Sequence, residues 1–307
     1  MDIIDPLIVF YGTIVAGSIA RKVKIFDHGE DEILIKFVFY ITYPLLVFHS
    51  IISVPLEEIL SSTINMMIAS LYTHLIILII IFIVVHFLRI PKKEKGVIVL
   101  TSTFLNAIFL PLPLSLLILG DLGVILVTFY AIPALILFNF LGVIIGVIYS
   151  DDQKIDIKSM FKSFGKFPPL WAIIIASSAL ILGVKPPDSV ILFSKNLGSI
   201  TVPIILFAIG IKLKLDFPKT HILAITIVSL IRIIISPIIV FGFLSVYQVN
   251  STERFIILLE SIMPPAVANA AFASVFKLDD KLTAKVVSSV TLFSILALLL
   301  FLPLILP

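Results

Sequence analysis

The chain has 307 residues, of which 60 % are hydrophobic and 13 % charged, with a net charge of +3 and no cysteine. A soluble domain is about 45–50 % apolar and about 25 % charged, so the charge needed to clothe a water-facing surface is missing and the chain belongs in a membrane. Without cysteine there is no disulfide, zinc-thiolate site, iron–sulfur cluster or thiol nucleophile.

A helix that crosses a bilayer needs about 20 mainly apolar residues. Ten segments meet that length. In chain order they are Ile3–Ala20, Leu34–Val54, Ile64–Leu88, Gly96–Leu119, Leu122–Tyr149, Pro168–Val184, Val190–Ile211, His221–Val246, Phe255–Phe276 and Leu282–Leu306. The fourth and fifth are divided only by Gly120–Asp121. The apolar runs are continuous rather than alternating, which argues against a β-barrel. The first segment is a retained span rather than a cleaved signal, because Asp2 and Asp5 precede it and no basic residue comes before Arg21.

Basic residues set the orientation. Of the 22 Lys and Arg, 18 fall in the connections after spans 1, 3, 5, 7 and 9 or, as Lys36 and Lys285 do, in the first turn of the span that follows. Lys185, Lys195 and Arg254 lie on the other side, and Arg232 is inside span 8. The 18-rich side is therefore cytoplasmic, both termini are outside, and the chain is expected in the cell membrane. The longest connection, residues 151–167, is cytoplasmic. Its Asp151, Asp152 and Asp156 stand among lysines and read as a solvated loop rather than a metal site.

The two halves, 1–150 and 168–307, read as repeats. Ile41-Thr42-Tyr43-Pro44-Leu45-Leu46-Val47-Phe48 aligns with Ile200-Thr201-Val202-Pro203-Ile204-Ile205-Leu206-Phe207, and Lys36 aligns with Lys195 at the same offset of 159. Near an offset of 160, Ala16-Gly17-Ser18 parallels Ala176-Ser177-Ser178. Five spans separate the copies, an odd number, so the repeats are inverted in the membrane. The prolines match as well: span 4 carries Pro111 and Pro113, and span 9 carries Pro264 and Pro265. A proline inside a helix costs about 3 kcal/mol or more, and paired prolines break the helix. In lipid the freed backbone groups must find partners in protein or a wet cavity. Two broken helices at equivalent places mark a binding site near the midplane. The second half-helix of each would turn N–H groups and the positive dipole end toward the break, which suits a carboxylate.

These residues resemble the auxin efflux carrier family, within the bile acid/sodium symporter-like transporters. Span 4 carries Asn106 seven residues before Pro113 and ends at Gly120, with Pro111 where the family has glycine. Span 9 reads Met263-Pro264-Pro265-Ala266, like the family's Met-Pro-x-Ala crossover, and span 2 carries Pro44-Leu45-Leu46-Val47-Phe48-His49. Arg232 followed by Pro237 marks span 8. The resemblance implies an all-α polytopic membrane protein of ten transmembrane helices in two inverted five-helix repeats, with helices 4 and 9 crossing at their breaks. It implies a scaffold of helices 1, 2, 6 and 7, a mobile transport domain of helices 3–5 and 8–10, elevator-type alternating access and a homodimer.

Arg232 lies about 14 residues from the outer end of its span, too deep to reach water, and a charge there costs about 2.5–3.5 kcal/mol or more. It binds an anionic substrate or pairs with a carboxylate. Glu260 is the acid well inside a span, and by resemblance it matches a sodium-ligating glutamate. It binds a cation with Ser261, Asn106 and Thr103, carries a proton, or pairs with Arg232. As drawn, these spans set Arg232 and Glu260 roughly two and a half turns apart in depth. Asn106 and Asn269 flank the breaks and are candidates for substrate contact or backbone satisfaction. His49 is a hydrogen-bonded helix residue or a protonatable one, while His28, His74, His86 and His221 form no metal spacing.

The expected protein is a secondary transporter of a small organic anion, a carboxylate or auxin-like molecule. Its substrate would meet Asn106, Pro113, Pro264, Pro265 and Asn269 together with Val47, Phe48 and His49. No enzyme chemistry, cofactor or nucleic-acid partner is implied; the lipid bilayer is the surroundings, and a gradient or the membrane potential supplies the energy. The rivals are a sodium- or proton-coupled importer working through Glu260 and, more distantly, an intramembrane enzyme. The topology is open to test: cysteines introduced at residues 2 and 307 should react with an impermeant reagent added outside, and labelling only from the cytoplasm would reverse it.

Overall fold

The computed structural model describes residues 4–26, 29–150, 167–213 and 221–306. The expectations for His28 and for Asp151, Asp152 and Asp156 in the long connection lie outside the described residues. The described elements are helices joined by short connections, with one isolated antiparallel bridge. In chain order the helices are α1 (Ile4–Lys22), α2 (Glu30–Ser53), α3 (Leu56–Phe87), α4 (Lys92–Thr103), α5 (Pro111–Leu119), α6 (Asp121–Tyr149), α7 (Pro168–Ile181), α8 (Asp188–Lys212), α9 (Ile222–Val246), α10 (Ser251–Ser261), α11 (Ala268–Val275) and α12 (Asp280–Ile305).

Among the described residues, seven helices are long and apolar enough to cross a membrane: α1, α2, α3, α6, α8, α9 and α12. α7 is apolar but shorter. The fourth and ninth expected spans are not continuous. Each is two short helices, α4 with α5 and α10 with α11. α3 begins eight residues before the expected start. Glu57 and Glu58 sit in its first turn, where carboxylates favour the helix dipole although they depress hydropathy.

Proline shapes the other helices too. In α2 the turn Val38–Thr42 widens to a π-turn closed by the Tyr43 N–H on the Val38 carbonyl, directly before Pro44. In α9 the π-turn Ile231–Ile235 is closed by the Ser236 N–H on the Ile231 carbonyl, directly before Pro237. A proline cannot donate to the carbonyl four residues back and its ring crowds that carbonyl. The wider turn moves the carbonyl aside.

The chain divides into two compact units. One comprises Met1–Ile64, Ile108–Phe129 and Gly165–Leu213. Within it α1 and α8 approach closely: a Cβ on Gly17 would run into the Phe207 carbonyl, and one on Gly210 into the Ile14 carbonyl. Small residues allow such an approach, as between helices packed in lipid. The Ser18 hydroxyl donates to the Gly210 carbonyl at 2.9 Å. Thr201 and Thr42, which align in sequence at the offset of 159, share a hydrogen bond of 2.9 Å. The Arg21 guanidinium donates to the carbonyls of Ile211 and Leu213 at the end of α8, at 3.0 and 3.2 Å.

The second unit comprises Asn65–Ala107, Tyr130–Phe164 and Lys214–Pro307. Its core contains Ile77, Ile81, Leu100, Phe104, Val228 and Val286, all buried. A capping box starts α10. The Asn250 side chain accepts from the Glu253 N–H at 2.8 Å, and Glu253 accepts from the Asn250 N–H at 3.1 Å. Glu253 also accepts from Asn65 at 3.0 Å, and Asn65 accepts from the Tyr247 hydroxyl at 2.8 Å. The division passes through the fourth and fifth expected spans, between residues 107 and 108 and between 129 and 130.

Because a backbone carbonyl rather than a flexible side chain stands in the way, Gly17→Leu or Gly210→Leu should force α1 and α8 apart. A loss of about 1–3 kcal/mol or more is expected from overpacking, visible as a lower melting temperature. Gly12→Leu, with nothing within 4 Å of its added Cβ, should leave melting unchanged.

Candidate functional site

The second unit holds the paired non-helical stretches. α4 ends at Thr103, and Phe104 is extended, with φ −99° and ψ 104°. α10 ends at Ser261, and the backbone stays non-helical to Val267. The two stretches pair antiparallel, Leu105 opposite Pro265. The Asn106 N–H donates to the Pro264 carbonyl at 2.7 Å, and the Ala266 N–H donates to the Phe104 carbonyl at 2.9 Å. Pro264, opposite Asn106, has no N–H to return a bond to the Asn106 carbonyl, so that pair makes one bond rather than two. Each break thus satisfies part of the other's freed backbone.

The Asn269 amide N–H₂ adds a third bond to the Phe104 carbonyl, at 2.9 Å. Its carbonyl oxygen is buried without a hydrogen-bond partner. Asn106 is 8 % exposed and Asn269 fully buried.

Arg232 is 0 % exposed. Its Nε donates to the Met263 carbonyl at 2.9 Å, and its Nη2 to the carbonyls of Ser261 and Glu260 at 3.3 and 3.4 Å. The Glu260 carbonyl also accepts from the Met263 N–H at 3.1 Å, while those of Ser261 and Met263 are left over where α10 ends, and a cation at a helix C-terminus is favoured by the dipole as well. The long side chain carries the guanidinium across the expected difference in depth to the end of α10. It takes the backbone there, while both oxygens of the buried Glu260 carboxyl group have no hydrogen-bond partner.

His74 is 1 % exposed near the middle of α3 and shares a 2.7 Å hydrogen bond with the Ser70 carbonyl through Nδ1. A carbonyl only accepts, so Nδ1 carries the proton. Its ring centroid is 6.3 Å from that of the buried Tyr130. Tyr130 is within electrostatic reach of Glu260 and Arg232. An ionisable ring in the middle of an apolar span was the signal for His74. Asn-x-x-Glu at 250–253 was the signal for the capping box.

The structure brings Asn106, Pro264, Pro265, Asn269, Arg232, Glu260, Ser261 and Thr103 together in the second unit. Val47 is buried, and Phe48 and His49 half-buried, in α2 of the first unit. Pro113 is buried at the start of α5 in that same unit. The N-terminal turn of α5 is a poorer anion donor than expected. Pro111 and Pro113 have no N–H, and the Leu112 N–H is used by the Ile108 carbonyl at 3.0 Å.

Of the set Glu260, Ser261, Asn106 and Thr103 expected for sodium, both Glu260 carboxyl oxygens and the Thr103 hydroxyl are buried without a hydrogen-bond partner among the described residues, while the backbone beside them is engaged. The carbonyl oxygens at the end of α10 already accept from Arg232, and the Ser261 hydroxyl donates to the Leu258 carbonyl at 2.6 Å. A second cation ~4 Å from the guanidinium would be repelled by about 4 kcal/mol at an effective dielectric of about 20.

An all-helical, membrane-embedded chain whose broken segments pair around a buried cation is a multi-pass membrane transporter. Residues 2–302 match the membrane transport protein family, and the chain belongs to it, among the auxin efflux carrier-like transporters its sequence resembles. It is 26 % identical over 304 residues to an uncharacterized transporter of Methanocaldococcus jannaschii, covering 97 % of each chain. It is also 26 % identical over 198 residues to an uncharacterized transporter of Methanothermobacter thermautotrophicus, covering 64 % of each.

The Asn269 amide group makes the pairing testable. Asn269→Ala removes one buried hydrogen bond, for a loss of about 1 kcal/mol. Asn269→Asp sets a carboxyl oxygen against the Phe104 carbonyl and should destabilise more than Ala in thermal unfolding at neutral pH. Equal effects would mean that this amide does not hold the two breaks together.

Proposed function

We propose that the protein is a secondary carrier of a small organic anion of the carboxylate, auxin-like class, built as ten transmembrane helices in two inverted five-helix repeats. The carrying observation is the pairing of the breaks. A two-fold relation sends each residue to its mate, and only residues on the axis touch their own mates. Leu105 and Pro265 stand 160 apart and oppose one another. The bonds Asn106 to Pro264 and Ala266 to Phe104 exchange with each other under that same offset. Thr42 and Thr201, 159 apart, do likewise in the other unit. Sequence offset and spatial pairing therefore agree, which supports inverted repeats crossing at helices 4 and 9 near the midplane.

Substrate contact in the second unit falls to Asn106, Pro264, Pro265 and Asn269. A carboxylate would meet the start of α11, where the N–H groups of Val267 and Ala268 have no backbone partner among the described residues, and Arg232 adds positive charge to the same unit. In this reading helices 1, 2, 6 and 7 are the scaffold of an elevator-type carrier. It sits in the cell membrane as a homodimer, with both termini outside.

A library of small carboxylates screened by thermal shift should contain a stabilising ligand whose effect is lost in Asn106→Ala. Stabilisation by organic cations alone would remove the anion reading. In proteoliposomes, uptake of the ligand that survives Glu260→Gln places the carrier among uncoupled permeases; loss in that variant with a dependence on pH makes it a proton-coupled importer.

A further inference from the structure

We propose that Arg232 is a tethered cation that takes the place of an inorganic ion at the end of α10, so that the protein binds no sodium there. Where a helix breaks inside an apolar medium, its last carbonyls need a donor or a cation. Three such oxygens, of Glu260, Ser261 and Met263, accept from one guanidinium at 2.9 to 3.4 Å. The side chain comes from α9, where the π-turn Ile231–Ile235 holds it. No other Lys or Arg among the described residues is buried. A sodium ion would bring a second positive charge and find the carbonyls occupied. Arg232 is thus a positioning residue: it fixes the carbonyl end of α10 and, through Met263, the start of the stretch that pairs with residues 104–106.

Thermal unfolding of the full chain in lipid nanodiscs tests this with cations alone and needs no anionic substrate, so failure of the carrier reading leaves the outcome interpretable. Melting is measured in sodium, potassium, N-methylglucamine and methylguanidinium chlorides at equal, low-millimolar concentration over a constant buffer. The native protein should melt at the same temperature in sodium, potassium and N-methylglucamine. Arg232→Ala should melt several degrees lower and recover part of the loss in methylguanidinium or sodium but not in N-methylglucamine. Arg232→Lys should retain more stability than the alanine variant. A sodium-specific gain by the native protein overturns the proposal, and that arm decides the matter by itself should Arg232→Ala fail to fold. A folded alanine variant that ignores every cation overturns it as well.

Discussion

The backbone of this protein has to be satisfied without water, and its architecture follows from how that is done. A continuous helix does it internally. Wherever proline interrupts a helix the debt passes to something else, and each interruption here has a different creditor. Before Pro44 and Pro237 the helix itself adapts by widening one turn. Beyond Thr103 and Ser261, where adaptation within one helix is insufficient, two extended stretches use each other. An unpaired peptide group in an apolar medium costs several kcal/mol, so neither break is stable alone. Their pairing fixes both.

The same constraint explains where the scarce cations go. Arg21 donates to the carbonyls at the end of α8, Lys92 donates to the Ser150 carbonyl just beyond α6 at 3.0 Å, and Arg232 donates to the end of α10. All three sit at helix C-termini, where the dipole and the orphan carbonyls reward positive charge. Arg21 and Lys92 belong to the basic set from which orientation is read, so residues that signal topology also close helices. Arg232 performs the same service with no exposure at all; its Nε and Nη2 donate to three carbonyls, while its Nη1 has no hydrogen-bond partner among the described residues.

Helix positions were legible in the sequence because hydropathy measures what lipid responds to, side-chain apolarity. The proposed repeat rests on the shared Thr42-x-Pro44 and Thr201-x-Pro203, whose threonines meet in the first unit. Two things were hidden for a common reason. The partner of Arg232 could not be read, since backbone carbonyls carry no residue type and a search for an oppositely charged side chain leads to Glu260 instead. His74 was passed over because an isolated histidine has no partner in a spacing pattern; its companion Tyr130 comes from another helix. The ends of α4 and α10 were blurred by apolar residues that continue through the breaks, where hydropathy stays high while the helix stops.

In the proposed reading of two inverted repeats, the halves share a backbone frame but not a chemistry. Under the offset of 160 that pairs Leu105 with Pro265, the mate of Arg232 is Tyr72, whose ring lies 4.8 Å from that of Phe243. The mate of Glu260 is Leu100, part of the apolar core. The first break therefore has no cation of its own. Its Phe104 carbonyl draws on donors from the second repeat, the Ala266 N–H and the Asn269 amide group. The second side supplies two of the three donors, the first returning only the Asn106 N–H, and it keeps the charge. Backbone symmetry brings the two breaks together, and its loss at the side chains decides which of them carries the polar chemistry.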